Sequence, residues 1–166
     1  MENNNRPHIL DSGDRTEFES GAVRDMREGK GRCDLLPLDV VGELMNDGLF
    51  TFVEEFKYSG KEFWLLEVLR MYSKKSNFQD VPTMILEVSK HFEEGAKKYG
   101  ENNWQKGIPV KSYLDSAVRH YLKHLRGDLD EPHNLAFCWN ILCAIWTCQN
   151  KPELNNYRKD DSNASN

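Results

Sequence analysis

Every stretch with an apolar rhythm between Asp39 and Thr147 repeats at three- and four-residue steps, and no segment alternates convincingly. Such steps put apolar side chains on one face of a helix, whereas a strand needs a two-residue period. A chain patterned this way has to bury helix faces against one another, so the expected fold is all-α, a helical bundle. Val40, Val41, Leu44, Met45, Leu49, Phe52, Val53 and Phe56 define the first stretch, over 39–56, with Asn46-Asp47-Gly48 as a break inside it. A second helix is expected from Lys61 to Lys74, with Phe63, Trp64, Leu66, Val68, Leu69 and Tyr72 as a broad apolar face. A third opens at Pro82–Thr83, where proline suits the first turn. It carries Met84, Ile85, Val88, Phe92, Ala96 and Tyr99, and Gly100 ends it. Ser112 is read as the cap of a fourth, ending at Arg126 before Gly127. Asp130 or Glu131 opens a fifth, to Thr147, whose apolar residues occupy nearly every face, so it should be central.

Outside this frame, residues 1–19 and 155–166 are polar and Asn-rich and are expected as disordered tails around one domain, 20–154. The net charge of −5 argues against a protein that coats a nucleic-acid polymer. It leaves room for a small nucleotide, because a basic pocket or a bound metal offsets global charge locally. No apolar run is long enough to cross a bilayer and the N-terminus has no signal-peptide core, so the chain is expected in the cytoplasm, with no membrane partner. Cys33, Cys138, Cys143 and Cys148 are then structural thiols; the five-residue spacing of the last three spreads them over different helix faces.

The chemistry-bearing residues concentrate in 94–140, with a second group at 20–38. Glu87, His91, Glu94 and Lys98 share a face of the third helix, either as Mg²⁺-bridging carboxylates or as a solvated charged surface. On the fourth, Asp115 and Arg119 sit one turn apart, as do Ser116, His120 and His124. A zinc pair at His120 and His124 lacks a third ligand at suitable spacing; Arg119 with His120 makes a better phosphate clamp. Asp128, Asp130, Glu131, His133 and Asn134 crowd the start of the fifth. Within it, Asn140 is a lone amide among apolar residues that has to find partners, as a bridge between helices or as support for a site. The loop carrying Arg24, Asp25, Arg27, Lys30, Arg32 and Asp34 reads either as a cover over an anion or as a solvated connection. A Walker A loop, a dinucleotide glycine motif and a serine elbow are all absent.

The runs GAVRD…EGKGRCDLLP, EGAKKYGENNWQKGIP, LDSAVRH and GDLDEPHNLAFCWN resemble the dATP/dGTP diphosphohydrolase family over about Ser20 to Leu154. That all-α group is itself similar to MazG-type nucleotide pyrophosphohydrolases of phages and bacteria. The resemblance implies hydrolysis of a purine deoxynucleoside triphosphate to its monophosphate and pyrophosphate with Mg²⁺ or Mn²⁺. MazG-type enzymes hold metal on an EExxE-like helix and a later ExxD. Here Glu93 and Glu94 match the first pair, Lys97 stands at the third glutamate, and Asn134 stands in place of the aspartate after Glu131.

On that resemblance Glu93, Glu94, Asp130 and Glu131 hold metal, and Glu94, Glu131 and Asp115 are the catalytic candidates. Lys97, Lys98, Arg119, His120 and His133 meet the phosphates, Tyr99 and Trp104 stack on the base, and Asn103 reads its edge. Arg24, Lys30 and Arg32 close over the triphosphate, from a neighbouring subunit if the protein is a homo-oligomeric dimer or tetramer. Residues 39–80 look like an insertion relative to the shortest relatives, with Phe50, Phe52, Phe63 and Trp64 at an oligomer interface. A phage-encoded protein in a bacterial host is one setting. The competing readings are a non-catalytic protein that sequesters a nucleotide or cyclic nucleotide, as in phage counter-defence, and a purely structural helical subunit.

Overall fold

A computed structural model describes residues 13–159, so the parts of the expected tails at 1–12 and 160–166 lie outside the described residues. A two-stranded hairpin, β1 (Arg15–Glu17) and β2 (Val23–Asp25), precedes six helices: α1 (Leu38–Met45), α2 (Leu49–Ser59), α3 (Phe63–Lys75), α4 (Val81–Tyr99), α5 (Val110–Arg126) and α6 (His133–Asn150). The architecture is an all-α bundle, as the periodicity requires. The hairpin, antiparallel with Arg15 opposite Asp25 and Thr16 opposite Arg24, is an addition; three-residue strands are too short to show alternation.

α5 and α6 form the most extensive helix pair, α2 packs on α3, and α4 lies against α6. Phe50, Tyr72, Tyr121 and Phe137 make an aromatic cluster where these layers meet, with ring centroids 4.8 Å apart for Tyr72–Phe137 and 5.2 Å for Phe50–Tyr121. Such tilted pairs add about 1 kcal/mol each beyond area burial. α6 is buried on most of its faces, as its unbroken apolar composition predicts. Cys138, Cys143 and Cys148 are buried free thiols within it, and Cys33 is half-buried.

The stretch 39–56 divides into two helices at the Asn46-Asp47-Gly48 break named from the sequence, where Asn46 takes a left-handed φ of 53° and ends α1, while other boundaries differ from expectation. The buried Asp47 carboxylate then accepts from the Leu49 amide at 3.0 Å, from the Tyr121 hydroxyl and from Lys75 Nζ at 2.7 Å. Local turn chemistry at 46–48 thus defeats a continuous apolar rhythm. α5 begins at Val110, directly after Pro109, without a Ser112 cap. α6 begins at His133 after Pro132 rather than at Asp130 or Glu131, and runs to Asn150. α4 starts as expected, with the Asp80 side chain accepting from the Thr83 amide at 2.7 Å.

The aromatic patch expected at an interface divides. Phe50 is fully buried in the core, Phe52 and Trp64 stack on each other at 5.8 Å, and Phe63 is exposed. The tail boundaries also shift. Residues 15–17 pair with β2, Asn155 Nδ2 donates to Gly60 O at 2.9 Å, and the Tyr157 ring lies 5.5 Å from Phe56. Gly60, the α2 C-cap at φ 68°, makes that docking possible: a Cβ there would lie 2.4 Å from Tyr157 O and 2.7 Å from Arg158 Cα. Gly60→Ala is expected to destabilise the fold by about 1–2 kcal/mol from the positive φ alone. It should also raise hydrogen exchange at 155–158, read by urea denaturation and mass spectrometry. No helix among the described residues is long and apolar enough to cross a membrane.

Candidate active site

The hairpin, the loop after it, α4, α5 and the start of α6 enclose a cavity of about 1110 Å³, large for a small-molecule site. Seven cationic side chains line it: Arg15, Arg24, Arg27, Lys30, Arg32, Arg119 and Lys123. Three carboxylates face them, from Asp25, Glu28 and Glu131. An acidic chain has therefore gathered a basic interior.

Arg24 on β2 is the most constrained of these cations. Its guanidinium sits 5.0 Å from the Tyr113 ring and 5.9 Å from Trp139. Its Nη2 donates to Asn140 Oδ1 at 2.5 Å. Asn140 Nδ2 donates to Ala136 O at 2.8 Å, so the lone amide of α6 is a bracket for Arg24. Burial lowers the Arg24 pKa from its usual value. Nη1 is buried and has no hydrogen-bond partner, and the same is true of Arg27 Nη1. An unpaired buried donor costs about 1–3 kcal/mol, and an anion entering the cavity would remove that cost.

The hairpin that carries Arg24 is clamped on both sides. Asn103 accepts from the Val23 amide through Oδ1 and donates to Val23 O through Nδ2, both at 2.9 Å. Its amide braces the hairpin while the residue lines the cavity wall. Asp25 accepts from Lys98 Nζ and the Tyr99 hydroxyl, each at 2.8 Å. The Lys98 ammonium therefore meets a carboxylate of β2, and Tyr99 keeps its ring on the cavity.

The following loop is tied to α5 by Asp115 and Arg119. Asp115 is fully buried; it accepts from the Cys33 amide at 2.7 Å and from Arg119 Nη2 at 2.7 Å, with Arg27 Nε 3.9 Å away. Arg119 Nη2 also donates to Gly31 O at 2.9 Å. Asp115 thus holds the loop to α5 and is not among the residues that line the cavity. Arg32 is drawn into a two-point pair with Asp34 at 2.6 and 2.7 Å, whereas Lys30 is exposed at the mouth.

Beside the Arg119 anchor, α5 and α6 bring His120 and His133 together, Nδ1 to Nδ1 at 2.9 Å. Glu131 Oε1 is 3.6 Å from each. His133 Nε2 meets Asp130 Oδ1 at 2.7 Å, and that bond, the largest influence, lowers the Asp130 pKa to about 2. Burial, and then the neighbouring His133, hold His120 well below its usual value. Sequence spacing offered only His124 as a partner on the same helix, without a third ligand; the fold pairs His120 with His133, thirteen positions on.

Glu93 and Glu94 are not part of this assembly. Both pair with Lys97, at 3.0 and 2.9 Å, and none of the three lines the cavity. Trp104 packs on Phe92 and Trp146, beside a smaller pocket next to the main one. Among the described residues, the close donor groups are His120–Glu131–His133 and Asp128–Asp130–His133. Neither holds Glu93 or Glu94, and each contains an imidazole. The expected quartet of Glu93, Glu94, Asp130 and Glu131 is therefore not gathered, and the residues present do not fit the all-oxygen shell that Mg²⁺ prefers.

His91, also on the wall, provides a pH prediction. Burial is the main influence and Glu94 opposes it; together they bring the imidazole to about 4. A lowered histidine pKa stabilises the fold above about pH 6.5, and that stability is lost as pH falls toward about 4, by about 3 kcal/mol. The urea midpoint should drop between pH 7 and pH 4.5, and drop less in His91→Leu.

The sequence-level reading missed the ring pair Tyr113 and Trp139 that holds Arg24, and it missed Lys123. Their only signal was aromatic and basic residues at cavity-facing positions, which needs the cavity to be seen. No curated protein and no solved structure matches the chain. The family model described as dATP/dGTP diphosphohydrolase, N-terminal, matches residues 67–157, from within α3 through α6 to Tyr157. More than half of the chain is matched, including the helices that supply one side of the cavity but not the hairpin and loop at 15–32, and the protein belongs to the dATP/dGTP diphosphohydrolase family.

Proposed function

We propose that the protein hydrolyses a purine deoxynucleoside triphosphate, dATP or dGTP, to the monophosphate and pyrophosphate. The observation that carries this reading is Arg24, whose buried Nη1 lacks a partner in a basic cavity of about 1110 Å³. A triphosphate supplies several anionic oxygens to such donors, and a guanidinium meets them with short charge-assisted hydrogen bonds. In the reaction a water adds to the α-phosphorus, the bond from that phosphorus to the bridging oxygen breaks, and pyrophosphate leaves.

Arg24 and Arg27 neutralise phosphate charge from the hairpin side, with Lys123 opposite on α5. Donors fixed before the substrate arrives need no reorganisation as charge shifts to the leaving group. Trp139 and Tyr99 offer rings for the purine. Asp115 and Arg119 keep the loop of Lys30 in place over the opening. Family membership supports the substrate class, and a divalent cation is expected with it.

The second reading is a nucleotide-binding protein without turnover, favoured by Glu93 and Glu94 being paired with Lys97 outside the cavity lining. Pyrophosphate release from each dNTP and NTP, with Mg²⁺, with Mn²⁺ and with EDTA, separates the two. Cation-dependent release from dATP or dGTP supports the hydrolase. Purine nucleotide bound tightly and recovered intact under every condition supports the binder.

A further inference from the structure

We propose that His120, His133 and Glu131 form a site for a divalent first-row transition ion in the wall of the cavity. Their donor atoms lie 2.9, 3.6 and 3.6 Å from one another. Metal bonds of about 2.1 Å from imidazole nitrogen and carboxylate oxygen place neighbouring ligands about 3.0–3.5 Å apart, within about 0.1 Å of the spacing present here. Two imidazoles and one carboxylate on one side of an ion leave the remaining positions open. Such a set suits Zn²⁺, Co²⁺ or Fe²⁺ and is a poor match for Mg²⁺.

The surroundings point the same way. His133 Nε2 faces the Asp130 carboxylate at 2.7 Å, so that nitrogen carries the proton and Nδ1 presents its lone pair toward His120. A carboxylate behind a ligating histidine orients its ring and raises its basicity. Lys123 Nζ, 3.3 Å from Asp130, holds that carboxylate in turn. His120 and Glu131 line the cavity while His133 is only 2% exposed, so the open positions face the space a ligand would enter. The alternative group of Asp128, Asp130 and His133 is weaker, because Arg126 already engages both oxygens of Asp128.

This site stands on its own donors and binds its ion whether or not the cavity takes a nucleotide. The full-length protein, stripped of metal, is titrated with Co²⁺ and followed by visible absorption, with equilibrium dialysis against Zn²⁺ alongside. One equivalent should bind and resist excess Mg²⁺. His120→Asn and Glu131→Gln, each with an unchanged circular dichroism spectrum, should weaken binding at least about tenfold, and Asp130→Asn should weaken it by a similar or smaller factor. Asp128→Asn should leave it unchanged. Absence of saturable binding, or binding that survives His120→Asn but is lost in Asp128→Asn, would overturn the proposal. Nucleotide binding measured separately in EDTA keeps this outcome distinct from failure of the hydrolase reading.

Discussion

Arg24→Met is expected to weaken dATP and dGTP binding about 100-fold while leaving the melting temperature unchanged or higher. The two effects have one origin. Arg24 lies over Tyr113 and Trp139 with one nitrogen on Asn140 and the other, Nη1, buried without a partner. Losing a buried charged contact to phosphate costs about 3 kcal/mol, which is roughly two decades in Kd. In the free protein the same cation is a liability of about 1–3 kcal/mol through its unpaired donor. Methionine keeps the apolar stem on the rings and removes that liability. Asn140 Oδ1 loses its donor, which offsets the gain by about 1 kcal/mol and brings the net change near zero. Calorimetric titration with each nucleotide and thermal denaturation check the pair of outcomes. A melting temperature that falls together with affinity would mean that Arg24 serves the fold instead.

Asp115→Ala should behave in the opposite way, lowering stability by about 3–5 kcal/mol and the melting temperature by about 10 °C. The carboxylate is fully buried, and its removal orphans the Cys33 amide and leaves the Arg119 guanidinium beside Arg27 without the charge between them. Hydrogen exchange over 28–33 should rise, because those bonds hold the loop to α5. Asp115→Asn, which keeps the volume and one acceptor oxygen, should recover part of the loss. If Asp115→Ala instead retains stability and loop protection while turnover disappears, the carboxylate acts on substrate and its positioning role is wrong.

The residues of these two predictions differ in how far the sequence exposed them. Arg24 and Arg119 stood out as cations in runs that resemble a nucleotide-hydrolysing family, and both line the cavity. Glu93, Glu94 and Lys97 stood out equally and lie outside its lining, where three residues one helical turn apart pair with one another. A short-range ion pair and a metal site have the same spacing along a helix. Asn140 was visible as an anomaly, a polar group that had to find a partner, but nothing in its neighbours named Arg24, 116 positions away.

Fold class follows from the amino-acid order alone, because burying one face of a helix demands a period that the chain displays from Asp39 to Thr147, although the five stretches it marks fold as six helices. Helix ends were partly visible, where Pro82, Gly100 and Gly127 act through local backbone geometry. The candidate site is another matter. The meeting of His120 with His133, the sandwich around Arg24 and the clamp of Asn103 on Val23 depend on how α5 packs on α6 and where the hairpin is laid across them. Periodicity specifies which face of an element is buried but not its partner across the core. The chemistry of this cavity resides in those partnerships.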